Sequence, residues 1–381
     1  MDIQLSEYAL HDVDQILTPA LLIYPECVDR NIQATLRMVG SDPERWRPHI
    51  KTAKLKAVVR RFLDYGIRNF KCATSLELLT ACEAGAADVL VAFPVTGANA
   101  ERIREIASQY PGTRVSALVE SSEQAALWRG TNLGVFIDVN PGMDRTGIDQ
   151  DRADVVSKLA AEIGGAFRGL HYYDGHVSGV GASERESKTH EGYSRLLRIV
   201  HALSDAGMSP GEVITSGTPA APYGFSYGGF NGGGFIQRIS PGTVVYNDFT
   251  SLEQLPGYGY VPAVLVLSTV VSQPTSHHVT CDAGHKSVSA DAGVPTCQVV
   301  GRPDLKPQKP SEEHLPIEVP ATGDRPRIGD KLYLLPRHVC PTVNNFDEAL
   351  FIVNGRIDKV EAVTARGHES ALAVAKTPVT A

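Results

Sequence analysis

The sequence predicts an α/β protein: a (β/α)8 TIM-type barrel followed by a second, C-terminal, mostly-β domain. Three observations predict it. Short β-rich runs alternate with amphipathic stretches up to about residue 255, the beat of parallel strands joined by helices. After about residue 256 the runs are β-rich and separated by turns, with no clear helix between them. No glycine fingerprint follows a first strand, as an open dinucleotide-binding sheet would require. A chain of 381 residues has room for one large domain and a smaller one.

Taken in order, the expected barrel strands are "RPHIK" 47–51, "NFKCAT" 69–74, "DVLVAFP" 88–94, "RVSALVE" 114–120, "LGVFIDV" 133–139, "FRGLHYY" 167–173, "GEVITSG" 211–217 and "TVVYND" 243–248. Between them lie segments such as "SLELLTACEAGA", where Leu76, Leu79 and Ala84 fall on one helical face. The expected division is a barrel over residues 18–255 and a β-rich domain over 256–381, with residues 1–17 free to pack on either. The second region contains "VPAVLVLSTVVSQP", "HHVTCDAG", "KLYLLPRHVC" and "EALFIVNGRIDKVEAV", the last with a hairpin signal at Asn354. Residues 302–329, rich in proline and charge, read mainly as exposed connections.

Hydrophobic residues make up 43% of the chain and charged residues 21%, the balance of a globular protein, and no apolar run is long enough to cross a bilayer. The N-terminus is acidic where a signal peptide would be basic, so a cytoplasmic location is expected. A net charge of −7 with interspersed signs leaves no nucleic-acid footprint, and the expected partner is a small molecule. Six scattered cysteines are expected to be reduced thiols.

If "RPHIK" is the first strand, Lys51 stands at its C-terminal end, on the face where barrels place their chemistry. An amine there can form a Schiff base with an aldehyde cofactor, and it can equally be a solvated strand-end lysine. The loops near the last two expected strands add weight to the first reading. "TSGTPAAP" offers Ser216, Gly217 and Thr218, and "SPGTVVY" offers Gly242 and Thr243, small residues able to cradle a phosphate or simply to turn the chain. An amine and a phosphate cradle on one rim point to pyridoxal phosphate. His338 and Cys340, two apart in a segment that reads as extended, would face one side as a shared metal requires. That spacing alone is weak grounds for a site, and two ligands would leave positions open for water or substrate.

Together these motifs give a resemblance. From "TPALLIYPECVDRNI" through "RPHIKTAK", "YYDGH", "SGTP", "PGTVVYND" and "CDAGHKS" to "HVCPTVNNFD" and "VTARG", the chain resembles the D-threonine aldolase and D-serine dehydratase family, alanine-racemase-like pyridoxal phosphate enzymes of fold type III. The resemblance implies a homodimer, with Lys51 as the Schiff-base lysine and His338 and Cys340 as ligands of a divalent metal. It also places Arg145 and Tyr173 near the cofactor ring, and Ser216, Gly217, Thr218, Gly242 and Thr243 at its phosphate.

Two departures stand out. Family members commonly carry a histidine where this chain has Ala53, so its acid–base duty would fall to His176 or to Lys51 itself. Aldolases of the family carry H-x-D, suited to manganese or magnesium, whereas dehydratases carry H-x-C, whose thiolate favours zinc. Cys340 thus sides with the dehydratases, while "PTVNNFD" and "TARG" look closer to the aldolases. The expected function is a pyridoxal phosphate- and metal-dependent lyase of β-hydroxy D-amino acids, foremost an aldolase giving glycine and an aldehyde. The alternative is a zinc-dependent dehydratase giving a keto acid and ammonia. A racemase would have no use for the H-x-C pair.

Overall fold

The computed structural model describes residues 3–372, and the outermost parts of the expected division, 1–2 and 373–381, lie outside the described residues. The chain forms two compact units. One takes residues up to Thr35, Thr52–Val58 and Thr243–Arg366; the other takes Leu36–Lys51, Val59–Gly242 and the residues from Gly367 onward. The chain passes between them at the Lys51–Thr52 and Gly242–Thr243 peptide bonds, among others.

The strands in chain order are β1 (Ala20–Ile23), β2 (Asn69–Cys72), β3 (Asp88–Val91), β4 (Arg114–Val119), β5 (Gly134–Asn140), β6 (Ile148–Asp149), β7 (Phe167–Tyr172), β8 (Glu212–Thr215) and β9 (Ile236–Ile239). They continue with β10 (Val264–Thr275), β11 (His278–Cys281), β12 (Cys297–Val299), β13 (Lys306–Pro307), β14 (Leu315–Glu318), β15 (Lys331–Pro336), β16 (Glu348–Val353) and β17 (Arg356–Ala362).

In the barrel unit, β2-β3-β4-β5-β7-β8-β9 form a curled parallel sheet, with β6 beside β5. Its strands are buried along most of their length because helices cover the outer face, and Leu90, Leu118, Phe136 and Ile214 meet inside. The gap between β9 and β2 is closed by the extended segment around residues 46–50. Trp46 bridges Ile239, His49 bridges Lys71, both parallel, and Arg47 and Ile50 donate their N–H groups to the Ile239 and Lys71 carbonyls. "RPHIK" therefore takes a strand's place without a regular ladder.

The eighth expected strand is a correction. Residues 243–248 form no strand: Thr243–Val245 is a 3-10 turn, and the sheet's last strand is β9, directly after a glycine cluster that reads as loop. Val244, Val245 and Tyr246 are all buried, so their apolar run marks burial and not strand geometry.

Arg47 sets the orientation of the closing segment. Its fully buried guanidinium bonds Glu212 at 2.7 Å and Asp88 at 2.8 Å, the first residues of β8 and β3, and Arg168 joins Asp88 at 2.8 Å. With Arg47 tied to strand starts, Lys51 emerges four residues later. Above β2, Thr74 caps the helix Ser75–Ala84 by accepting the Glu77 N–H, while the Glu77 carboxylate accepts the Ala73 N–H at 2.7 Å.

The second unit is a nine-stranded sheet in the order β13-β14-β11-β10-β1-β16-β17, with β15 pairing β10 and β12. β1 lies antiparallel to β10 and parallel to β16, so residues 20–23 belong to this sheet, although the expected division placed them in the barrel. β13 and β14 likewise give structure to a stretch read mainly as connections. The core gathers Tyr8, Leu22, Leu252, Leu265, Tyr333 and Ile352. No helix among the described residues is long and apolar enough to cross a membrane.

Candidate active site

In the barrel unit, the segment ending at Lys51, the β2 residue Lys71 and the loop after β5 bring three basic groups to one aromatic ring. Lys51 Nζ lies 5.8 Å, Lys71 Nζ 5.4 Å and the Arg145 guanidinium carbon 5.0 Å from the centre of Tyr173, which follows β7. Gly175 and Gly217 flank the ring so closely that a Cβ on either would come within 3 Å of it. Among the described residues no carboxylate forms an ion pair with any of the three basic groups. A rim of this charge suits an anion, and the Lys51 amine suits an aldehyde-bearing one, so these residues fit pyridoxal phosphate.

Beneath the rim runs a polar chain that sequence reasoning missed. Lys71 Nζ lies 2.7 Å from Ser240 Oγ and 3.2 Å from His171 Nε2. His171 Nδ1 meets Asp138 at 2.7 Å, and Asp138 accepts the Thr146 hydroxyl at 2.7 Å. Burial brings Lys71 down to about 7; Lys51 and Arg145 push the same way, against Asp138 and Asp174. Burial, with Lys71 next, also lowers His171 against the pull of Asp138. These residues stand on β2, β5, β7 and after β9, and only strand register brings them together.

The expected phosphate residues divide. Asp174 accepts the Gly217 N–H at 2.8 Å and the Tyr193 hydroxyl at 2.9 Å, and Tyr193 lies 2.6 Å from Ser216 Oγ. Gly217 N–H and the Ser216 hydroxyl thus fix their own loop, and burial raises Asp174 despite these bonds. Ser216 has φ +59°, a strained conformation held by this network. Gly242 packs where a Cβ would meet the His49 carbonyl oxygen at 2.3 Å. Thr218, which opens the turn Thr218–Tyr223, and Gly242 remain as rim groups. His176 does not join the cluster: it is exposed and lines a cavity of about 290 Å3 with Tyr172, Asp174 and Lys188, apart from Lys51.

In the β unit, His338 and Cys340 meet, though not as an extended pair. His338 is extended at the N-cap and Cys340 lies in the helix Val339–Asn344, because Asp248 accepts the Val339 N–H at 2.9 Å and starts the helix there. Asp248 also caps Phe249–Gln254 through the Ser251 N–H at 2.8 Å. The two side chains still influence one another electrostatically. Burial would lower His338, but Cys340 and Asp291 outweigh it and raise the imidazole to about 9. Asp291 holds His338 Nδ1 at 2.6 Å, leaving Nε2 for a metal, a common arrangement behind ligating histidines. Cys340 Sγ lies 3.0 Å from Thr52 Oγ1 and 3.6 Å from Thr243 Oγ1. The imidazole–thiol donor set fits a divalent metal of zinc character, with two protein ligands. Among the described residues no three His, Cys, Asp or Glu side chains form a metal cage. At Ala53, the place of the family histidine, the backbone carbonyl accepts the Tyr246 hydroxyl at 2.7 Å.

This barrel and lysine define a class, and comparison with known families agrees: the chain belongs to the alanine racemase, N-terminal domain, family, whose model matches residues 23–247. A second model, putative serine dehydratase domain, matches residues 263–352, which include His338 and Cys340. D-threonine aldolase of Arthrobacter sp. is 25% identical, over 92% of this chain and 93% of its own. D-threo-3-hydroxyaspartate dehydratase of Delftia sp. (strain HT23) is 24% identical, over 86% and 92%. The crystal structure of D-threonine aldolase from Filomicrobium marinum superposes with a TM-score of 0.84 at 26% identity, covering 93% of this chain and 96% of that one.

Proposed function

We propose that this protein is a pyridoxal phosphate- and metal-dependent lyase of β-hydroxy D-amino acids, foremost an aldolase that splits D-threonine-like substrates into glycine and an aldehyde. The observation that carries the reading is the cluster of three basic groups, Lys51, Lys71 and Arg145, around Tyr173, none of them ion-paired among the described residues. Likeness to an aldolase over most of both chains supports the same class.

Lys51 would hold the cofactor, with Thr218 and Gly242 at its phosphate and Tyr173 packed against it. When bound, pyridoxal phosphate supplies an aldehyde for amine exchange and a ring that stabilises negative charge at the α-carbon. Arg145 and Lys51 bind and orient anionic groups at the rim, and the flanking glycines keep the Tyr173 ring in place. Lys51 Nζ would also be the base that moves the α-proton. In the aldolase reading it delivers a proton to the glycine α-carbon; in a dehydratase it removes one from the substrate. His338 and Cys340 would hold the metal, which supplies a Lewis acid for a hydroxyl oxygen.

Zinc-dependent dehydration to a keto acid and ammonia is the second reading. The Cys340 thiol in the metal pair favours it. Incubation with D-threonine, pyridoxal phosphate and either zinc or manganese separates the two. Glycine with acetaldehyde establishes the aldolase, 2-oxobutanoate with ammonia the dehydratase, and neither product refutes both.

A further inference from the structure

Lys71 carries an inference that deepens the proposed reading and rests on it. Its amine is almost wholly buried, yet its hydrogen-bonding neighbours are neutral groups. Ser240 can donate its hydroxyl to the Thr215 or Ser216 carbonyl, which leaves its oxygen to accept from Lys71. His171, with Nδ1–H directed at Asp138, presents the Nε2 lone pair to Lys71 as well. Two of the three non-carbon positions on Nζ are therefore filled by N–H donors in either charge state. The third is a lone pair when the amine is neutral and an N–H when it is protonated.

The charged and titratable groups facing this amine are Lys51 from the closing segment, Arg145 from the loop after β5, Asp138 from β5, His171 from β7, and Tyr173 and Asp174 beyond β7. Two cations and burial oppose a third positive charge here; the two carboxylates favour it but are engaged elsewhere, Asp138 with His171 and Thr146, Asp174 with Gly217 and Tyr193. A doubly negative ligand beside Lys51 and Arg145 reverses that balance, since it screens the two cations and adds an attraction of its own.

We infer that Lys71 is a charge-switching positioning residue: neutral while the rim is empty, it takes one proton from solvent onto Nζ when a phosphate monoester dianion binds at the Lys51–Arg145–Tyr173 rim. Anion binding then carries in about one proton, and the ammonium so formed fixes the net charge beneath the bound ring. His171, itself fixed by Asp138, holds the amine in place together with Ser240.

The test uses the full chain, freed of bound aldehyde with hydroxylamine and dialysed, and pyridoxine 5'-phosphate, which lacks the aldehyde and cannot bond covalently to Lys51. Binding is followed calorimetrically at pH 8 in buffers of different ionisation enthalpy, which reports protons taken up. The expected result is an uptake approaching one proton in the wild type, with affinity falling up to about tenfold per pH unit above pH 8. In K71M the uptake disappears and the affinity is weak and flat with pH. K71R, permanently charged, binds without uptake. Wild-type binding without proton uptake overturns the inference while leaving the cofactor reading intact, and an uptake that persists in K71R overturns it in the same way. Absence of any wild-type binding overturns both. Because the wild-type measurement alone can refute the switch, failure of a variant to fold does not protect it.

Discussion

Lys51 and Lys71 are two amines on one aromatic ring in opposite circumstances, one half-exposed at the end of an extended segment and one buried among strands. If Lys51 is both the anchoring amine and the base, Lys51→Ala lowers kcat for D-threonine by at least about 10²–10⁴-fold. Its melting temperature stays near the wild-type value, because a half-exposed side chain leaves no cavity. A loss of activity matched by a loss of folding would instead make the lysine structural. Asp291 acts through His338 by fixing its Nδ1. Asp291→Asn is therefore expected to weaken metal affinity about 10–100-fold in competition with a chromogenic chelator, and unchanged affinity would remove His338 as a ligand. Sequence patterns pointed to Lys51 because it ends a recognisable run, and to His338 and Cys340 because their spacing is local. Lys71, His171, Asp138 and Asp291 left no such trace. Each looks like an ordinary polar residue until strand pairing or loop packing brings its partner alongside.

Among the elements, the parallel strands and their helices were legible, since each strand is a short apolar run beside a helical period. Where burial and strand geometry part company, the reading failed. Residues 243–248 are as apolar as a strand yet coil into a turn, and β9, placed after glycines, was hidden by them. The H-x-C segment looked extended, and the Asp248 contact that starts a helix there comes from residues far away in sequence. The barrel's buried ion network carries a prediction of its own. Burial alone would raise Asp88, but Arg47 and Arg168 overcome it and hold its carboxyl near 2. A depressed folded value stabilises above the unfolded value of 3.8 and is lost as pH falls. Roughly 2 kcal/mol of barrel stability should therefore disappear between about pH 4 and pH 2. Urea midpoints measured across that window should fall for the wild type and stay nearly level for Asp88→Asn, which starts lower; parallel curves would refute the assignment.

At the scale of the whole molecule, a metal-dependent lyase of the proposed kind requires both its cofactor lysine, Lys51, and its metal pair, His338 and Cys340, for turnover. Chelation should abolish cleavage of D-threonine, and zinc or manganese should restore it. The absorbance of the lysine-bound cofactor should persist throughout, because the metal ligands are not the cofactor ligands. Cleavage that survives exhaustive chelation would contradict the metal's role. The most direct test of the central claim is borohydride reduction of the protein with pyridoxal phosphate, followed by peptide mapping of the trapped label. One phosphopyridoxyl group per chain is expected, on Lys51. A label on Lys71 or Lys54, or none at all, would contradict it.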